Sequence, residues 1–272
     1  MKITAFNAPT GDENIIALMS EKADGSMRMH GHAEYDAPAI DTRRKFLFKH
    51  SIDPKGVVSA GLVHGNNSEI VSNPRQENVF IEKTDALITD QRGVYLAITA
   101  ADCSPVFLFD PVKQVIALVH SGWKGTLLAV VPRAIDRMVE DFNCSPTDII
   151  AYIGPGIQQC HFEVGKDVVD RFPAQYVKTR DVQVPKTNQP AAGETHDIVK
   201  KYYVDLPEVI RFQLFGHGVS QITVDTMCAF CNKGIPVLQA EPVKSEITYR
   251  WFSFRREKSD PLKTQMAVFG MK

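Results

Sequence analysis

The sequence predicts an α+β fold with mixed β-sheets, and three observations support this prediction. Short apolar runs that are typical of strands occur throughout the chain. Segments with helical spacing of apolar residues lie between them, and the two kinds of segment do not alternate with the regular rhythm of βαβ units. The chain has 272 residues, of which 44% are hydrophobic and 23% charged. This length allows one large domain or two small ones.

The composition excludes several classes of protein. A formal net charge of -1, with no block of like charges, does not indicate a nucleic-acid surface. Five cysteines, an odd number, do not indicate a disulfide framework. The N-terminal residues lead into a polar stretch, and no apolar run approaches the ~20 residues of a membrane span. We therefore expect a cytoplasmic protein with reduced thiols and no nucleic-acid or membrane partner.

In the first hundred residues the pattern predicts mainly strands. A strand is expected at residues 15–19, then a loop over residues 21–32 and a basic-faced helix that begins near Asp41 and ends near Pro54. Residues 65–76 are rich in Asn, Ser and Pro and predict a mobile loop that could border a pocket. Further strands are expected at residues 57–63, 85–89 and 94–98.

A β-hairpin is the clearest local prediction. Two apolar runs, residues 105–109 and 115–119, flank a turn at residues 110–113. Cys103 lies just before the first run and His120 just after the second. Because antiparallel strands bring their far ends side by side, we expect the thiol and the imidazole to lie within reach of each other. His64, at the end of the predicted strand 57–63, offers a second imidazole.

Helices and short strands are expected after the hairpin. Thr126 is predicted to cap a helix whose apolar positions extend to Phe142, with a kink or a later start caused by Pro132. A second helix is expected from Asp205, its cap, through Pro207 to Gly216. The remaining predictions are strands at residues 149–153, 222–224, 249–254 and 266–269, a helix at 167–172 and an exposed loop at 179–195.

Three side chains suggest a site with metal or thiol chemistry. His64, Cys103 and His120 form a possible His₂Cys metal site, and three protein ligands leave the open position of a catalytic zinc. The same residues can instead act without metal, as a thiolate nucleophile and an imidazole base, with Asp102 as an orienting or acid–base carboxylate. Buried structural roles for the cysteine and histidines are the third interpretation.

Other motifs carry weaker signals. Arg255 and Arg256 follow the aromatic strand 249–254, and one of them could bind phosphate or form a salt bridge. Trp123, Phe162 and Phe252 could stack on a purine or belong to the core. The Cys228–Cys231 pair has the spacing of half a zinc knuckle, but the chain has no second such pair, which favours buried structural thiols. The sequence around Trp123 and Lys124 lacks the spacing of a phosphate-binding loop.

Several sequence blocks carry a family resemblance. They are Ala101-Asp102-Cys103, His120-Ser121-Gly122-Trp123-Lys124-Gly125, Gly154-Pro155-Gly156-Ile157 with the following Cys160 to Val164, and Phe252-Ser253-Phe254-Arg255-Arg256. In this order and spacing the sequence resembles the laccase-domain purine nucleoside phosphorylase family, long labelled multicopper polyphenol oxidase. The resemblance spans roughly residues 58–272. It implies one domain, residues 1–272, with a four-layer α/β/β/α arrangement.

The resemblance also implies a site and an activity. It implies zinc on His64, Cys103 and His120, and an arginine facing the substrate at Arg43, with Arg44 as the alternative. The implied enzyme acts on small molecules: it phosphorolyses adenosine, inosine or methylthioadenosine and deaminates adenosine. A Cys/His hydrolase that edits a peptidoglycan precursor and a metal-binding protein without turnover are the alternatives.

Copper chemistry is a further alternative, because of the older family label. Laccases hold a blue copper and a three-copper cluster with many histidines, mostly in His-x-His pairs. This chain has eight histidines and one such pair, His30 and His32. We therefore rank a copper-dependent polyphenol oxidase below zinc, although a His₂Cys set also suits a single blue copper.

Overall fold

Two mixed β-sheets pack face to face in the computed structural model of the protein. The structure describes residues 1–6, 13–29, 33–72, 76, 79–185, 196–232, 249–258 and 261–272. Helices cover the outer face of each sheet, so the layers follow the order helix, sheet, sheet, helix. This is the predicted four-layer α/β/β/α arrangement with mixed sheets.

The first sheet has five strands: β1 (Ile15–Met19), β2 (Val57–Gly61), β4 (Val79–Glu82), β6 (Tyr95–Ala100) and β14 (Gln265–Met271). Their order in the sheet is β1-β14-β6-β2-β4. Strands β6, β2 and β4 are parallel to one another, whereas β14 is antiparallel to both β6 and β1, which makes the sheet mixed. Helix α1, Ala33–Lys49, covers its outer face through Phe46 and Leu47.

The second sheet has six strands: β3 (Ser68–Ile70), β5 (Ala86–Thr89), β7 (Ser104–Asp110), β8 (Val115–Ser121), β9 (Ile150–Ile153) and β13 (Gln221–Val224). Their order in the sheet is β13-β9-β7-β8-β5-β3. At its centre β7 and β8 form the predicted hairpin, paired from Ser104 opposite Ser121 to Asp110 opposite Val115. The chain passes from the first sheet to the second between β6 and β7, at residues 101–103.

The side chains of β7 point alternately into two different hydrophobic cores, one on each face of the second sheet. Phe107 and Phe109 point into the core between the two sheets. Val106 and Leu108 point the opposite way, toward the two long helices that cover this sheet. Strand side chains alternate with a period of two, so one apolar strand supplies both cores. The covering helices are α3 (Val130–Phe142) and α5 (Leu206–Gly216).

The remaining elements are short or peripheral. A third sheet has the order β10-β12-β11, with β10 (Glu163–Val164), β11 (Val177–Pro185) and β12 (His196–Val204). The short helices are α2 (Trp123–Leu127), α4 (Lys166–Val169) and α6 (Phe254–Glu257). Single 3-10 turns occur at Lys22–Asp24, Pro54–Gly56 and Ala174–Tyr176. In the described parts of the chain, no helix has the length and apolarity that a membrane crossing requires.

Five local predictions were wrong. The helix predicted from near Asp41 begins eight residues earlier, because α1 spans Ala33–Lys49 and includes Pro38. Residues 177–185 form strand β11 instead of a loop, because a polar two-stranded ribbon hides the alternation that reveals a strand. The loop predicted at residues 65–76 contains strand β3, and the strand predicted at 249–254 is an irregular segment that leads into α6. Thr126 lies inside α2 and caps nothing. Ala129, with φ of 58°, separates α2 from α3, so the later helix start was correct.

Candidate metal and catalytic site

His64 lies three residues beyond the end of β2, in a turn with a left-handed backbone. Its φ is 58°, a conformation that costs a non-glycine residue about 1–2 kcal/mol. The carboxylate of Asp85 stabilises the turn by accepting hydrogen bonds from the backbone N–H groups of Val63, His64 and Gly65, at 3.2, 3.0 and 2.7 Å. The exposed imidazole is thereby fixed at the end of the strand.

Cys103 lies where the chain crosses between the two sheets. The preceding residue, Asp102, also has a left-handed backbone, with φ of 86°. Its carbonyl accepts a 2.7 Å hydrogen bond from the N–H of Ile157, which fixes the crossover. Gly122 closes the other side: a Cβ at this position would lie 2.7 Å from the Cys103 sulfur and 3.4 Å from the His64 ring. Only a glycine permits this close approach.

His120 completes the trio at the end of β8. The metal-ligand atoms of His64, Cys103 and His120 all lie within 4.8 Å of one another. The two imidazole rings meet edge to face, with centroids 5.0 Å apart and planes at 81°. The hairpin prediction that brings the thiol close to the imidazole agrees with this geometry, and the sheet crossover brings His64 to the same point.

The buried His120 ring is oriented by Asp85. Its Nδ1 lies 2.9 Å from Oδ1 of Asp85, and both side chains are almost fully buried. Burial alone would raise the pKa of Asp85, but the hydrogen bonds from His120 and from the backbone lower it, so the carboxylate stays ionised. Nδ1 therefore donates to Asp85, which leaves Nε2 for the sulfur or for a metal ion.

Charge coupling between the thiol and the imidazole shifts both groups. Burial opposes ionisation of Cys103, but the charges of His120 and His64 outweigh it and lower the pKa of the thiol to about 6. Burial also opposes ionisation of His120, but the Cys103 sulfur and Asp85 raise its pKa to about 9. These opposite shifts favour the thiolate–imidazolium form of the pair when no metal is bound.

A cavity of about 570 Å³ opens beside the trio. Arg43 on α1 contributes to its wall, although the side chain is only 6% exposed. The guanidinium donates to the carbonyl of Met27 at 2.7 Å and to the Ser59 hydroxyl at 2.9 Å, and it lies 5.6 Å from the centre of the Phe80 ring. Arg44 is exposed and lies outside this cavity, so Arg43 is the arginine that faces it.

Arg255 and Asp102 form another part of the wall. The backbone N–H of Arg255 donates to Oδ2 of Asp102 at 2.7 Å, and its Nη1 donates to the carbonyl of Glu163 at 2.5 Å. The guanidinium lies 5.8 Å from the centre of the Phe162 ring, which also lines the cavity. Oδ1 of Asp102 is buried and has no hydrogen-bond partner among the described residues. Burial raises the pKa of this carboxyl.

The remaining predicted site residues divide into two groups. Trp123 is half-buried and lines the cavity at the start of α2. The cationic groups of Lys124 and Arg171 lie over its ring. Phe252 and Arg256 do not line the cavity. Arg256 instead donates to the carbonyls of Ala229, Phe230 and Trp251, which is a structural role.

The sequence did not predict all residues of the candidate site. Asp85, and not Asp102, is the carboxylate that contacts His120. Its only sequence signal is a carboxylate at the start of a buried strand. Arg28 adds a third guanidinium to the cavity wall, beside Arg43 and Arg255. The structure also brings Cys228 and Cys231 to Cys160 and His161. Cys231 is exposed, so the prediction that both thiols are buried was wrong for this residue.

The trio fits a zinc ion. Zinc–sulfur and zinc–nitrogen bonds of ~2.0–2.3 Å in a tetrahedron place the two nitrogens and the sulfur roughly 3.3–3.6 Å apart, so a separation below 4.8 Å needs only small adjustments. The carboxylate–histidine pair of Asp85 and His120 is the typical outer support of a zinc ligand. The candidate copper pair, His30 and His32, lies outside the described residues.

Comparisons with known proteins agree with the architecture. A family model described as multi-copper polyphenol oxidoreductase laccase matches residues 18–269. A purine nucleoside phosphorylase of Clostridium acetobutylicum is 30% identical over 201 residues, 74% of this chain and 72% of that protein. The purine nucleoside phosphorylase YlmD of Bacillus subtilis is 29% identical over 208 residues, 74% of this chain and 70% of that protein.

A solved structure shares the fold. The hypothetical protein YfiH of Bacillus licheniformis superimposes with a TM-score of 0.74 and 24% identity, over 95% of this chain and 93% of that one. The match of the family model covers nearly the whole sequence and includes every element that contributes to the trio. The chain therefore belongs to the multi-copper polyphenol oxidoreductase laccase family.

Proposed function

We propose that the protein is a zinc-dependent enzyme that processes purine nucleosides in this cavity. The proposed reactions are phosphorolysis of adenosine, inosine or methylthioadenosine and deamination of adenosine. One observation carries the proposal: the His64–Cys103–His120 trio lies in the wall of a cavity that also contains guanidinium groups and aromatic rings. The names of the two phosphorylase relatives support the same substrate class.

The cavity suits a nucleoside and phosphate in size and chemistry. A volume of about 570 Å³ is within the range of ~300–1,000 Å³ that is typical of small-molecule sites. The rings of Trp123 and Phe162 offer apolar faces for a purine. Arg28, Arg43 and Arg255 add positive charge to the same wall, against the carboxylates of Glu82 and Asp102, and a phosphate anion would find charge-assisted donors there.

Phosphorolysis requires a binding site for the phosphate anion and a general acid that protonates the leaving purine. Phosphate would bind at Arg43, whose own hydrogen bonds to Met27 and Ser59 hold the guanidinium in place. It would attack C1′ of the ribose as the glycosidic bond breaks. The departing purine takes a proton, and Asp102 is the proposed donor. Burial raises the pKa of this carboxyl, and its Oδ1 has no hydrogen-bond partner within the described part of the chain.

Deamination uses the other side of the site. A bound zinc ion would act as a Lewis acid and promote ionisation of a water molecule. His64, Cys103 and His120 would hold the ion, and Asp85 would hold His120 in the tautomer that presents Nε2. The water oxygen would bond to C6 of adenosine, and the bond between C6 and the amino nitrogen would then break. Asp102, on the cavity wall next to Cys103, would move a proton from the water to the departing ammonia. Both reactions therefore share Asp102 but differ in their need for phosphate.

The experiment is a product assay with metal-replete protein. Inosine and phosphate should yield hypoxanthine and ribose 1-phosphate, and adenosine without phosphate should yield inosine. Cys103→Ala should abolish zinc binding at the trio and, with it, deamination. Cys144→Ala, which alters a buried thiol outside the cavity, is the control and should retain zinc binding and deamination. Unchanged nucleosides after incubation with zinc-replete wild-type protein would refute the proposal.

A thiol hydrolase is the second candidate, and one specific observation favours it. Asp85, His120 and Cys103 form a carboxylate–imidazole–thiolate series, and the pKa of Cys103 is lowered to about 6. Such a pair could attack an amide or ester of a peptidoglycan precursor. Covalent labelling of Cys103 by a substrate-like electrophile in active enzyme, together with full activity after zinc removal, would establish this candidate in place of the first.

Copper is the remaining metal candidate, in keeping with the family description. The trio offers two imidazoles and one thiolate, a set that suits one copper but not a laccase cluster. Metal analysis of protein purified without added metal distinguishes the two ions. Zinc at the trio supports the proposal, and copper with oxidation of a phenol would replace it.

A further inference from the structure

A second cluster of metal ligands lies away from the cavity wall. Cys160, His161, Cys228 and Cys231 each offer one ligand atom, and these four atoms all lie within 4.8 Å of one another. Cys228 is buried, His161 half-buried, and the other two are exposed. Three sulfurs and one imidazole are the donor set of structural zinc sites, which are closed and tetrahedral.

Two distant segments of the chain form this cluster. Cys160 and His161 lie in the loop between β9 and β10, and Cys228 and Cys231 follow β13. A bridge between Gly156 and Cys228 joins the two loops, and the N–H of Ala229 donates to the carbonyl of Gly156 at 2.9 Å. The backbone therefore fixes the relative position of the loops before any metal binds.

The side chains are arranged as zinc ligands require. Nδ1 of His161 lies 3.1 Å from the Cys160 sulfur and 3.8 Å from the Cys228 sulfur. A zinc tetrahedron needs roughly 3.5–3.8 Å between such atoms, so small side-chain adjustments suffice. The Phe230 ring stacks on the imidazole, with centroids 4.3 Å apart and planes at 16°, which holds its orientation.

A backbone hydrogen bond to one of the four ligand atoms also agrees with a bound cation. The N–H of Gln158 donates to the Cys228 sulfur at 3.5 Å, as an N–H group does for a metal-bound thiolate.

We infer that Cys160, His161, Cys228 and Cys231 bind a second, structural zinc ion in a Cys₃His site. This site has no open position and lies outside the cavity wall, so it is distinct from the proposed catalytic site. Its loops nevertheless support that wall. Phe162, which follows His161, lines the cavity, and the carbonyls of Ala229 and Phe230 hold Arg256, the neighbour of Arg255.

Zinc content of purified variants tests the inference without any activity assay. The wild-type chain should hold two zinc ions, and Cys103→Ala and Cys231→Ser should each hold one. Cys144→Ala is the control for loss of a thiol outside both clusters and should hold two. Cys231→Ser should also lower Tm by several degrees. A Cys231→Ser protein with the zinc content and Tm of the wild type would overturn the inference.

Two further measurements keep the test decisive if that variant fails to fold. Cobalt substituted into Cys103→Ala should give the strong charge-transfer absorption of three thiolates, whereas a spectrum without thiolate bands overturns the site. The intact mass of the wild-type chain under denaturing, non-reducing conditions should correspond to five free thiols. A mass lower by one disulfide, with one zinc per chain, would mean that the cluster is a redox pair instead.

Discussion

Nδ1 of His120 lies 2.9 Å from Oδ1 of Asp85, and the same carboxylate accepts the backbone N–H groups of the His64 turn. One buried side chain therefore positions both imidazoles of the candidate site. Asp85 fixes the tautomer of His120 by a direct bond and the location of His64 by its backbone. Although it lies behind the ligands, we expect this residue to influence metal affinity as strongly as many ligands do.

Replacing Asp85 with asparagine should weaken metal binding at the trio. The amide carries no charge and can present an N–H group to His120, which would favour the wrong tautomer. We expect Asp85→Asn to lower zinc affinity ~10–100-fold. A competition titration with a chromophoric chelator measures this change. Asp90→Asn, on the exposed turn after β5, is the matched control and should bind zinc as the wild type does. Equal affinities of the two variants would contradict the role of Asp85.

A methyl group at Gly122 should displace the trio. The added Cβ would lie 2.7 Å from the Cys103 sulfur, a distance that forces the thiol to move. Gly122→Ala should therefore lose most of its zinc at this site and most of its activity. Gly216→Ala, where a Cβ meets no atom within 4 Å, is the control and should keep both. A Gly122→Ala protein with wild-type zinc affinity would show that the packing around Cys103 is loose.

The pH dependence of alkylation should report the lowered pKa of Cys103. In zinc-free protein the thiol ionises near pH 6, so the rate of reaction with iodoacetamide should rise up to about this pH and level off above it. Cys144, whose pKa is raised to about 12 by burial and by Asp110, should stay unreactive.

Removal of the imidazole partner should reverse the shift. In His120→Ala the inflection should move up toward the ordinary cysteine pKa of about 8.5. Mass spectrometry of the Cys103 peptide measures the rate in both proteins. An inflection near pH 8.5 in the wild type would show that the thiolate–imidazolium pair does not form.

Arg43 and Arg44 should differ in their effect on phosphorolysis. Arg43 lines the cavity, whereas Arg44 is exposed and does not. Loss of a charge-assisted contact of ~1.5–3 kcal/mol should raise KM for phosphate by roughly 10–100-fold in Arg43→Gln. Arg44→Gln should leave it unchanged.

The deamination assay provides an internal control for folding. This reaction uses no phosphate, so Arg43→Gln should retain most of its activity toward adenosine in phosphate-free buffer. Arg43→Gln could instead lose phosphorolysis and deamination together, with or without a lower Tm. That result would mean that Arg43 maintains the cavity through Met27 and Ser59 and does not bind phosphate.

Local pattern was sufficient for the parts of the fold that form between neighbours in sequence. The hairpin followed from two apolar runs and a turn, and it correctly brought Cys103 close to His120. The helix capped by Asp205 followed in the same way, and the cap accepts the predicted bond from the N–H of Glu208. The α+β class, which the pattern predicts, and the four layers, which the family resemblance implies, also agree with the structure.

Contacts between distant segments were not predictable from local pattern. Asp85 reaches His120 because β5 pairs with β8, with Ala86 opposite Val119, and nothing near Asp85 in the sequence signals this pairing. Cys228 reaches His161 through the bridge at Gly156 for the same reason. The spacing of Cys228 and Cys231 gave half of a site, and the other half lies in a different loop.

The crossover at residues 101–103 has a mechanical consequence. Cys103 is attached to one sheet through β7, while His64 extends from the other sheet through β2, so the distance between them depends on how the two sheets sit against each other. The aromatic layer of Phe107, Phe109 and Phe269 sets that alignment. If one sheet slid against the other by a few tenths of an ångström in this apolar core, the Cys103 sulfur would move by as much relative to the His64 imidazole. The site would then lose its geometry although the chain stays folded.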